Sequence, residues 1–374
     1  MDYRTIPTIN AKPSLLGYGC MRFPTTTDGN IDKEKSIQLL QTAVDGGVNY
    51  FDTAYIYHNS QSESFMGEFF AEHCDKPRES YYIATKLPTW EVNTLDDAKR
   101  IFNEQLKRLR VDYIDFYMLH DLKLDRFEKM ENLGVYDYCR QLQKQGKIKH
   151  FGHSSHENAE NFGKIIAARD WDFVLLQLNY MDTDIVELYN EAVEKGIVVI
   201  AMETVKGGSL ANLPDDIIGN LTEVAPNASV SSWAIRWAGS LPGDGVKVIL
   251  SGMSDMAQVQ DNLKTCSGFV PLSKGEYDAI ERVRTQLRKR VRNGCTGCDY
   301  CMPCPAGVNI PWLFSIWNNY GIYENRGHSN WEWSLVAADN RPDKCTECGK
   351  CSEMCPQGID IIADLKRVDA EFAK

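Results

Sequence analysis

Residues 33–57 read KEKSIQLLQTAVDGGVNYFDTAYIY, and this stretch contains the unit from which the fold is inferred. Lys33–Asp45 carries apolar residues at helical spacing, a turn follows, Val48–Asp52 is a short β-rich run, and the chain leaves it on Asp52-Thr53-Ala54-Tyr55-Ile56-Tyr57. The same alternation fills the chain up to about residue 285. Strand candidates are Gly17–Met21, Val48–Asp52, Tyr81–Lys86, Tyr113–His120, Ile148–His153, Phe173–Asn179, Ile197–Met202 and Val246–Leu250. Helix-period segments such as Thr94–Leu109 and Ala228–Trp237 separate them, and Thr94-x-x-Asp97 opens its helix as a cap. Eight strands alternating with helices predict an α/β fold, a (β/α)8 TIM barrel. An open doubly wound sheet would show a glycine fingerprint after its first strand. Gly17-Tyr18-Gly19-Cys20 lacks the third glycine and the following helix.

At 374 residues the chain exceeds a barrel of roughly 250 residues and leaves room for a smaller module. Hydrophobic residues at 43% and charged residues at 25%, with 27 glycines and 14 prolines, exclude a collagen-like or disordered chain. Asp plus Glu outnumber Lys plus Arg by 52 to 41, and the net charge of −11 repels phosphate backbones and anionic lipid. Nucleic acid and membrane surfaces are therefore not expected partners. The longest apolar run, Ile197–Met202, falls far below the ~18 residues of a bilayer span. Met1-Asp2-Tyr3-Arg4 has no apolar signal core behind it, so a cytoplasmic protein is expected.

Of 12 cysteines, Cys20, Cys74, Cys139 and Cys266 are scattered and read as small buried hydrophobes. The others cluster between Cys295 and Cys355 and place a domain boundary near 285, with a barrel over 1–285 and a second module over 286–374. Without a secretory signal, clustered cysteines read as metal ligands.

The catalytic face of a barrel lies at the carboxyl ends of its strands. Asp52 and Tyr57 follow the second strand, Lys86 ends the third and His120 ends the fourth, so an acid, a phenol, an amine and an imidazole converge on one rim. An ammonium at Lys86 favours the phenolate and is expected to lower the pKa of Tyr57 from ~10 toward neutrality, with Asp52 orienting the lysine. His120 then polarises a carbonyl oxygen or relays its proton.

These residues carry a family likeness. Asp52-Thr53-Ala54-x-x-Tyr57 with Glu63, Lys86, Tyr113-Ile114-Asp115 ahead of His120, Gly152-His153-Ser154, Gln177-Leu178-Asn179-Tyr180, and Gly252-x-Ser254 with Asn262 resemble the aldo-keto reductases across most of residues 1–285. The resemblance implies a barrel in which Tyr57 donates a proton while NADPH delivers hydride to a small-molecule carbonyl, supported by Lys86, Asp52 and His120. It also implies that Ser154, Ser155 and Gln177 hold the nicotinamide carboxamide, and that loops at Gly207-Gly208 and Gly252–Asn262, including Ser254, line the phosphates and adenosine. Three positions depart from the pattern: His58 stands where a glycine commonly follows the tyrosine, Ser155 replaces an asparagine, and Met202 replaces an aromatic ring stacked on the nicotinamide. The loop from Gly252 to Gln258 has no Lys or Arg for a 2′-phosphate and offers Asp255, so NADP(H) and NAD(H) both stay open.

Cys295-x2-Cys298-x2-Cys301-x2-Cys304-Pro305 and Cys345-x2-Cys348-x2-Cys351-x3-Cys355-Pro356 form an internal repeat. The second copy is the bacterial ferredoxin run for a [4Fe–4S] cluster, whose fourth cysteine ligates the other cluster. Zinc is the alternative, since Cys-x2-Cys pairs also build tetrahedral all-cysteine sites, but zinc requires no third cysteine at the same interval. The ferredoxin likeness implies one cluster on Cys295, Cys298, Cys301 and Cys355, and a second on Cys345, Cys348, Cys351 and Cys304. Ile310–Tyr320 reads as a helix, and the module resembles the helical ferredoxin domains of larger oxidoreductases. Trp312, Trp317, Trp331 and Trp333 are read as packing residues.

The expected protein is an iron–sulfur oxidoreductase of the aldo-keto reductase type, reducing a carbonyl or oxidising the alcohol in reverse. A nicotinamide moves two electrons and each cluster one, and the sequence offers no flavin motif to split them. The clusters thus serve structure, an electron-transfer protein partner, or a cofactor the sequence does not announce. The rival reading is an electron-transfer or redox-sensing protein whose barrel is a docking platform, which predicts a degraded tetrad.

Overall fold

In the computed structural model, which describes residues 1–373, eight parallel strands close a barrel in chain order. They are β1 Leu16–Gly19, β2 Tyr50–Asp52, β3 Tyr82–Pro88, β4 Ile114–His120, β5 Ile148–Ser155, β6 Phe173–Gln177, β7 Val198–Met202 and β8 Val246–Ser251. Each expected strand is present with its ends moved by at most two residues, and β1 closes on β8 through Leu16↔Ile249, Gly17↔Leu250 and Tyr18↔Ser251.

The helices form where the sequence places their caps. Thr94 accepts from the Asp97 amide at 3.2 Å while the Asp97 carboxylate accepts from the Thr94 amide at 2.9 Å, which starts helix Leu95–Leu109. Its inner face, Ala98, Ile101, Phe102 and Leu109, is buried. Tyr50, Ala84, Phe116, Phe173, Leu175, Val198, Ile200 and Val248 pack into one cluster with Ile6 and Ala11, which pair with each other ahead of β1. At Gly152 an added Cβ would sit 2.2 Å from the Phe173 carbonyl oxygen, so β5 and β6 need glycine there.

The chain divides into two compact units, residues 1–205 with 232–272 and residues 206–231 with 273–374. The first holds all eight strands. In the second, helix Asp215–Thr222 meets helix Lys274–Arg288, and the amides of Asn220 and Gln286 bond reciprocally at 2.9 and 3.3 Å. Arg290 donates to Asp216 at 2.5 Å and to Glu324 at 3.0 Å. Helices Ile310–Tyr323, Arg326–Leu335 and Ile361–Phe372 enclose a core of Leu313, Phe314, Trp317, Trp333, Leu365, Val368 and Phe372. Trp317 donates its indole N–H to Glu371 at 2.9 Å, and Trp333 stacks on Phe372. These two tryptophans are packing residues; Trp331 instead lies 49% exposed. Among the described residues no helix is long and apolar enough to cross a membrane.

Candidate functional site

The four rim residues meet at the carboxyl ends of β2, β3 and β4. Lys86 Nζ donates to Asp52 Oδ1 at 2.5 Å, to the Thr53 carbonyl at 2.7 Å and to Tyr57 Oη at 3.1 Å. Lys86 and Asp52 are buried, and their pairing keeps the ammonium charged. The Tyr57 ring stands edge-on to His120 at 6.0 Å, and Trp90 packs on His120 at 5.0 Å. Behind them, Glu63 accepts from Thr85 at 2.7 Å, Gln105 at 2.8 Å and Arg108 at 3.2 Å, while Gln105 also donates to the Lys86 carbonyl at 2.9 Å. This network fixes β3 against helix Leu95–Leu109.

Two electrostatic expectations resolve differently from each other. Burial raises the Tyr57 phenol above its ordinary value, outweighing the Lys86 ammonium that lowers it. The drop toward neutrality expected from Lys86 alone is therefore reversed by desolvation. His120 is pushed down to about 3 by burial and then by Lys86, so the imidazole is neutral at pH 7. In that state one ring nitrogen donates and the other accepts, so both ways of acting on a carbonyl oxygen stay open to it.

His58 and the two residues after it adopt left-handed backbone: φ is 52° at His58, 52° at Asn59 and 66° at Ser60. A residue with a Cβ pays roughly 1–2 kcal/mol for that conformation, which glycine takes freely. The departure noted in the sequence thus falls where the backbone itself favours glycine.

The residues assigned to the nucleotide by resemblance are placed as follows. Ser154 Oγ accepts from the Asp121 amide at 2.8 Å, and Ser155 Oγ from the Glu157 amide at 3.2 Å, leaving both hydroxyl protons for other acceptors. Gln177 donates its side-chain N–H to Asp182 at 2.8 Å. Met202, half-buried, ends β7 beside Gln177. Asn262 is buried with its amide on Ser251 Oγ at 2.9 Å. Gly252 opens the loop after β8, the Ser254 amide donates to Gln258, and Asp255 caps helix Met256–Cys266 by accepting from the Gln258 amide at 2.9 Å. Arg22 lies along Gly252: a Cβ there would meet the arginine Cβ at 3.2 Å and its Cγ and Cδ at 3.3 Å. Arg22 is exposed and has no ion-pair or hydrogen-bond partner among the described residues. Gly207 and Gly208 belong to the second unit, in a turn with φ of 63° and 98°.

The second unit brings the first cysteine run together with the end of the second. Cys295, Cys298, Cys301 and Cys355 line one cavity whose walls include Ile310, Phe314, Ile359 and Ile361. Burial and the neighbouring thiols push Cys301 up to about 11. Four soft thiols lining one cavity with apolar walls fit a thiolate-bound iron–sulfur group, whose positive irons would take the place of the thiol protons. Cys304, Cys345 and Cys351 pack against the helical core, and Cys348 is exposed. The Asn293 carbonyl oxygen accepts from the Cys295 amide at 3.2 Å and from Asn318 at 3.2 Å, while its amide donates to Asp364 at 3.1 Å, tying the first run to two helices.

Residues 15–285 match the model of the aldo/keto reductase family. The chain belongs to the aldo/keto reductase family. Residues 294–359 match the 4Fe-4S dicluster domain, so this reductase is an NAD(P)H-dependent oxidoreductase with a 4Fe-4S domain. The chain is similar to the oxidoreductase YqkF of Bacillus subtilis (strain 168), 24% identical over 312 residues, covering 75% of this chain and 96% of YqkF. It is 34% identical to the aldo-keto reductase YhdN of the same organism over 127 residues, 32% of this chain and 38% of YhdN. The solved structure of aldo-keto reductase AKR11C1 from Bacillus halodurans, in its holo form, shares the barrel fold with a TM-score of 0.61 at 23% identity. It covers 76% of this chain and 96% of its own.

The reductase has a second rim cluster that reading the strand ends did not reach. Asp121, His156 and Glu203 each stand one residue beyond β4, β5 and β7. His156 Nδ1 lies 3.2 Å from Asp121 Oδ1 and its Nε2 3.6 Å from Glu203 Oε1, while Arg126 donates to Asp121 at 2.5 Å. Asp121, through its hydrogen bond and then Glu203, pushes His156 up to about 9. Extending the strand-end rule by one residue would have found Asp121 and Glu203, but His156 lies three residues beyond His153, where the sequence ends the fifth strand. Because the folded pKa lies above the ordinary ~6.5, the stability supplied by this ion triad is fully present below about pH 6.5 and lost as pH rises through about 9. We expect His156→Leu to lower Tm at neutral pH and to match the parent near pH 10, with melting curves across that range as the check.

Proposed function

We propose that the barrel, residues 1–285, reduces a small carbonyl compound to an alcohol with Tyr57 as general acid, and that residues 286–374 hold two [4Fe–4S] clusters facing a one-electron protein partner in the cytoplasm. The observation that carries the barrel reading is Lys86 Nζ seated between Asp52 at 2.5 Å and Tyr57 at 3.1 Å. Bound NAD(P)H supplies hydride to the carbonyl carbon. The Tyr57 hydroxyl hands its proton to the carbonyl oxygen, Lys86 stabilises the phenolate left behind, Asp52 holds the ammonium in place, and neutral His120 offers an N–H to the same oxygen. Ser154, Ser155 and Gln177 orient the carboxamide, and Met202 offers a polarisable thioether to the ring. A docking platform would have no use for four convergent groups of this kind, which favours the reductase over the electron-transfer rival. The test is loss of reduced-nicotinamide absorbance on adding a panel of aldehydes and ketones to anaerobically prepared protein; no oxidation with any of them sinks the reading.

For the clusters, the crossed ligand set on Cys295, Cys298, Cys301 and Cys355 is supported by their shared cavity. Cys345, Cys348, Cys351 and Cys304 are left for the second.

Arg22 supplies the cation that the loop from Gly252 to Gln258 lacks. Its position beside Gly252 suits the diphosphate common to both nucleotides, while Asp255 in the same loop as Gly252 disfavours an extra 2′-phosphate. NADH and NADPH should therefore bind within about tenfold of each other, and Arg22→Gln should weaken both by roughly tenfold, as loss of one charge-assisted bond implies. Fluorescence titration measures this, and a loss confined to NADPH would move Arg22 to the 2′-phosphate.

A further inference from the structure

His58 is the departure from the family pattern that the proposed reaction does not use. It sits in a left-handed conformation next to Tyr57, followed by two more left-handed residues that carry side chains, Asn59 and Ser60. Such backbone persists only when its surroundings over-determine it, and it clusters at functional sites. The surroundings here are specific. His58 Nε2 accepts the Phe23 backbone N–H at 3.1 Å, and its ring packs on the Phe23 ring at 5.7 Å. Phe23 is itself buried, stacked on Tyr18 at 5.9 Å and edge-on to Phe65 at 5.0 Å. The His58 ring thus fastens the turn carrying Tyr57 to the loop after β1.

We propose that His58 is a positioning residue for Tyr57, its imidazole latching the left-handed turn to Phe23 so that the phenol stays on Lys86. The inference rests on the role given to Tyr57 above. The bond requires an unprotonated Nε2, and burial keeps the His58 imidazole below its ordinary pKa, so the acceptor is present at neutral pH. Without the latch, the turn keeps its sequence but loses the bond from the Phe23 amide to the His58 ring, and Tyr57 gains freedom to leave Lys86.

Three substitutions separate latching from backbone preference. His58→Gly removes the ring and relieves the left-handed conformation. His58→Gln places a carbonyl oxygen where Nε2 sits. His58→Asn tolerates left-handed backbone but falls short of the Phe23 amide. With 4-nitrobenzaldehyde as carbonyl probe and NADPH as reductant, kcat should fall roughly tenfold in His58→Gly and His58→Asn, in line with misplacement of a general acid. KM and nucleotide affinity should stay within about twofold, Tm should not drop in His58→Gly, and His58→Gln should recover most of the turnover. A second readout is independent of turnover. In protein labelled at tyrosine Cζ with carbon-13, the Tyr57 resonance, assigned from its loss in Tyr57→Phe, should shift in His58→Gly and His58→Asn and return in His58→Gln. Parent turnover with an unshifted resonance in His58→Gly overturns the proposal, as does a His58→Gln variant no better than glycine. If the parent oxidises no NADPH with any carbonyl but the resonance moves as described, the latch stands and the carbonyl-reduction reading falls.

Discussion

Tyr57→Phe should lower kcat for carbonyl reduction by roughly 10²–10⁴-fold while leaving NADPH and NADH affinity within about threefold. The phenol gives up a proton in the transition state and does not hold the nucleotide, so its loss appears in turnover. Its location supports the size of the effect: Lys86 Nζ stands 3.1 Å from the hydroxyl and is buried with Asp52, where a charge is weakly screened. Burial raises the phenol above its ordinary value, so the acid is fully protonated at neutral pH and kcat should fall only on the alkaline side. Steady-state kinetics and fluorescence titration of the same preparation check both halves. A variant as fast as the parent would remove Tyr57 from the reaction.

The second large effect concerns iron. Anaerobically prepared protein should be brown and carry about eight irons and about eight acid-labile sulfides per chain, as two four-iron clusters require. The cavity shared by Cys295, Cys298, Cys301 and Cys355 sharpens this into a pattern. Cys298→Ala and Cys355→Ala should each lose about half the iron and leave the same residual spectrum, although the two positions lie in different runs of the sequence. Cys348→Ala should lose the other half and leave a different spectrum. Because ligand binding contributes folding free energy in small ligand-rich modules, all three should make the C-terminal helices protease-sensitive while carbonyl chemistry persists. Zinc at full occupancy without sulfide would replace the clusters by zinc sites.

Much of this was legible in the sequence because short-range rules suffice for it. Short β-rich runs between helix-period segments point to the barrel, and the carboxyl ends of its strands point to Asp52, Tyr57, Lys86 and His120. What was not legible depends on residues that meet only after closure. His156 reaches Glu203 from β5 to β7, and Arg22 comes to Gly252 only because β1 closes on β8. The direction of the Tyr57 shift escapes the sequence for a related reason: a neighbouring ammonium can be read from strand ends, but the depth of burial that outweighs it cannot. The meaning of His58 likewise required a φ angle.

The two-segment composition of the second unit bears on how such a protein can be taken apart. Residues 206–231 lie between β7 and β8 in the chain, yet they associate with helix Lys274–Arg288 and with Arg290. A single cut near residue 285 would therefore divide this unit between two fragments. Shortening the chain there strands Asp216 without its arginine while Asn220 keeps Gln286 only if that residue is spared. An exchange that keeps this unit whole, by gene fusion or in the laboratory, has to carry residues 206–231 along with the tail.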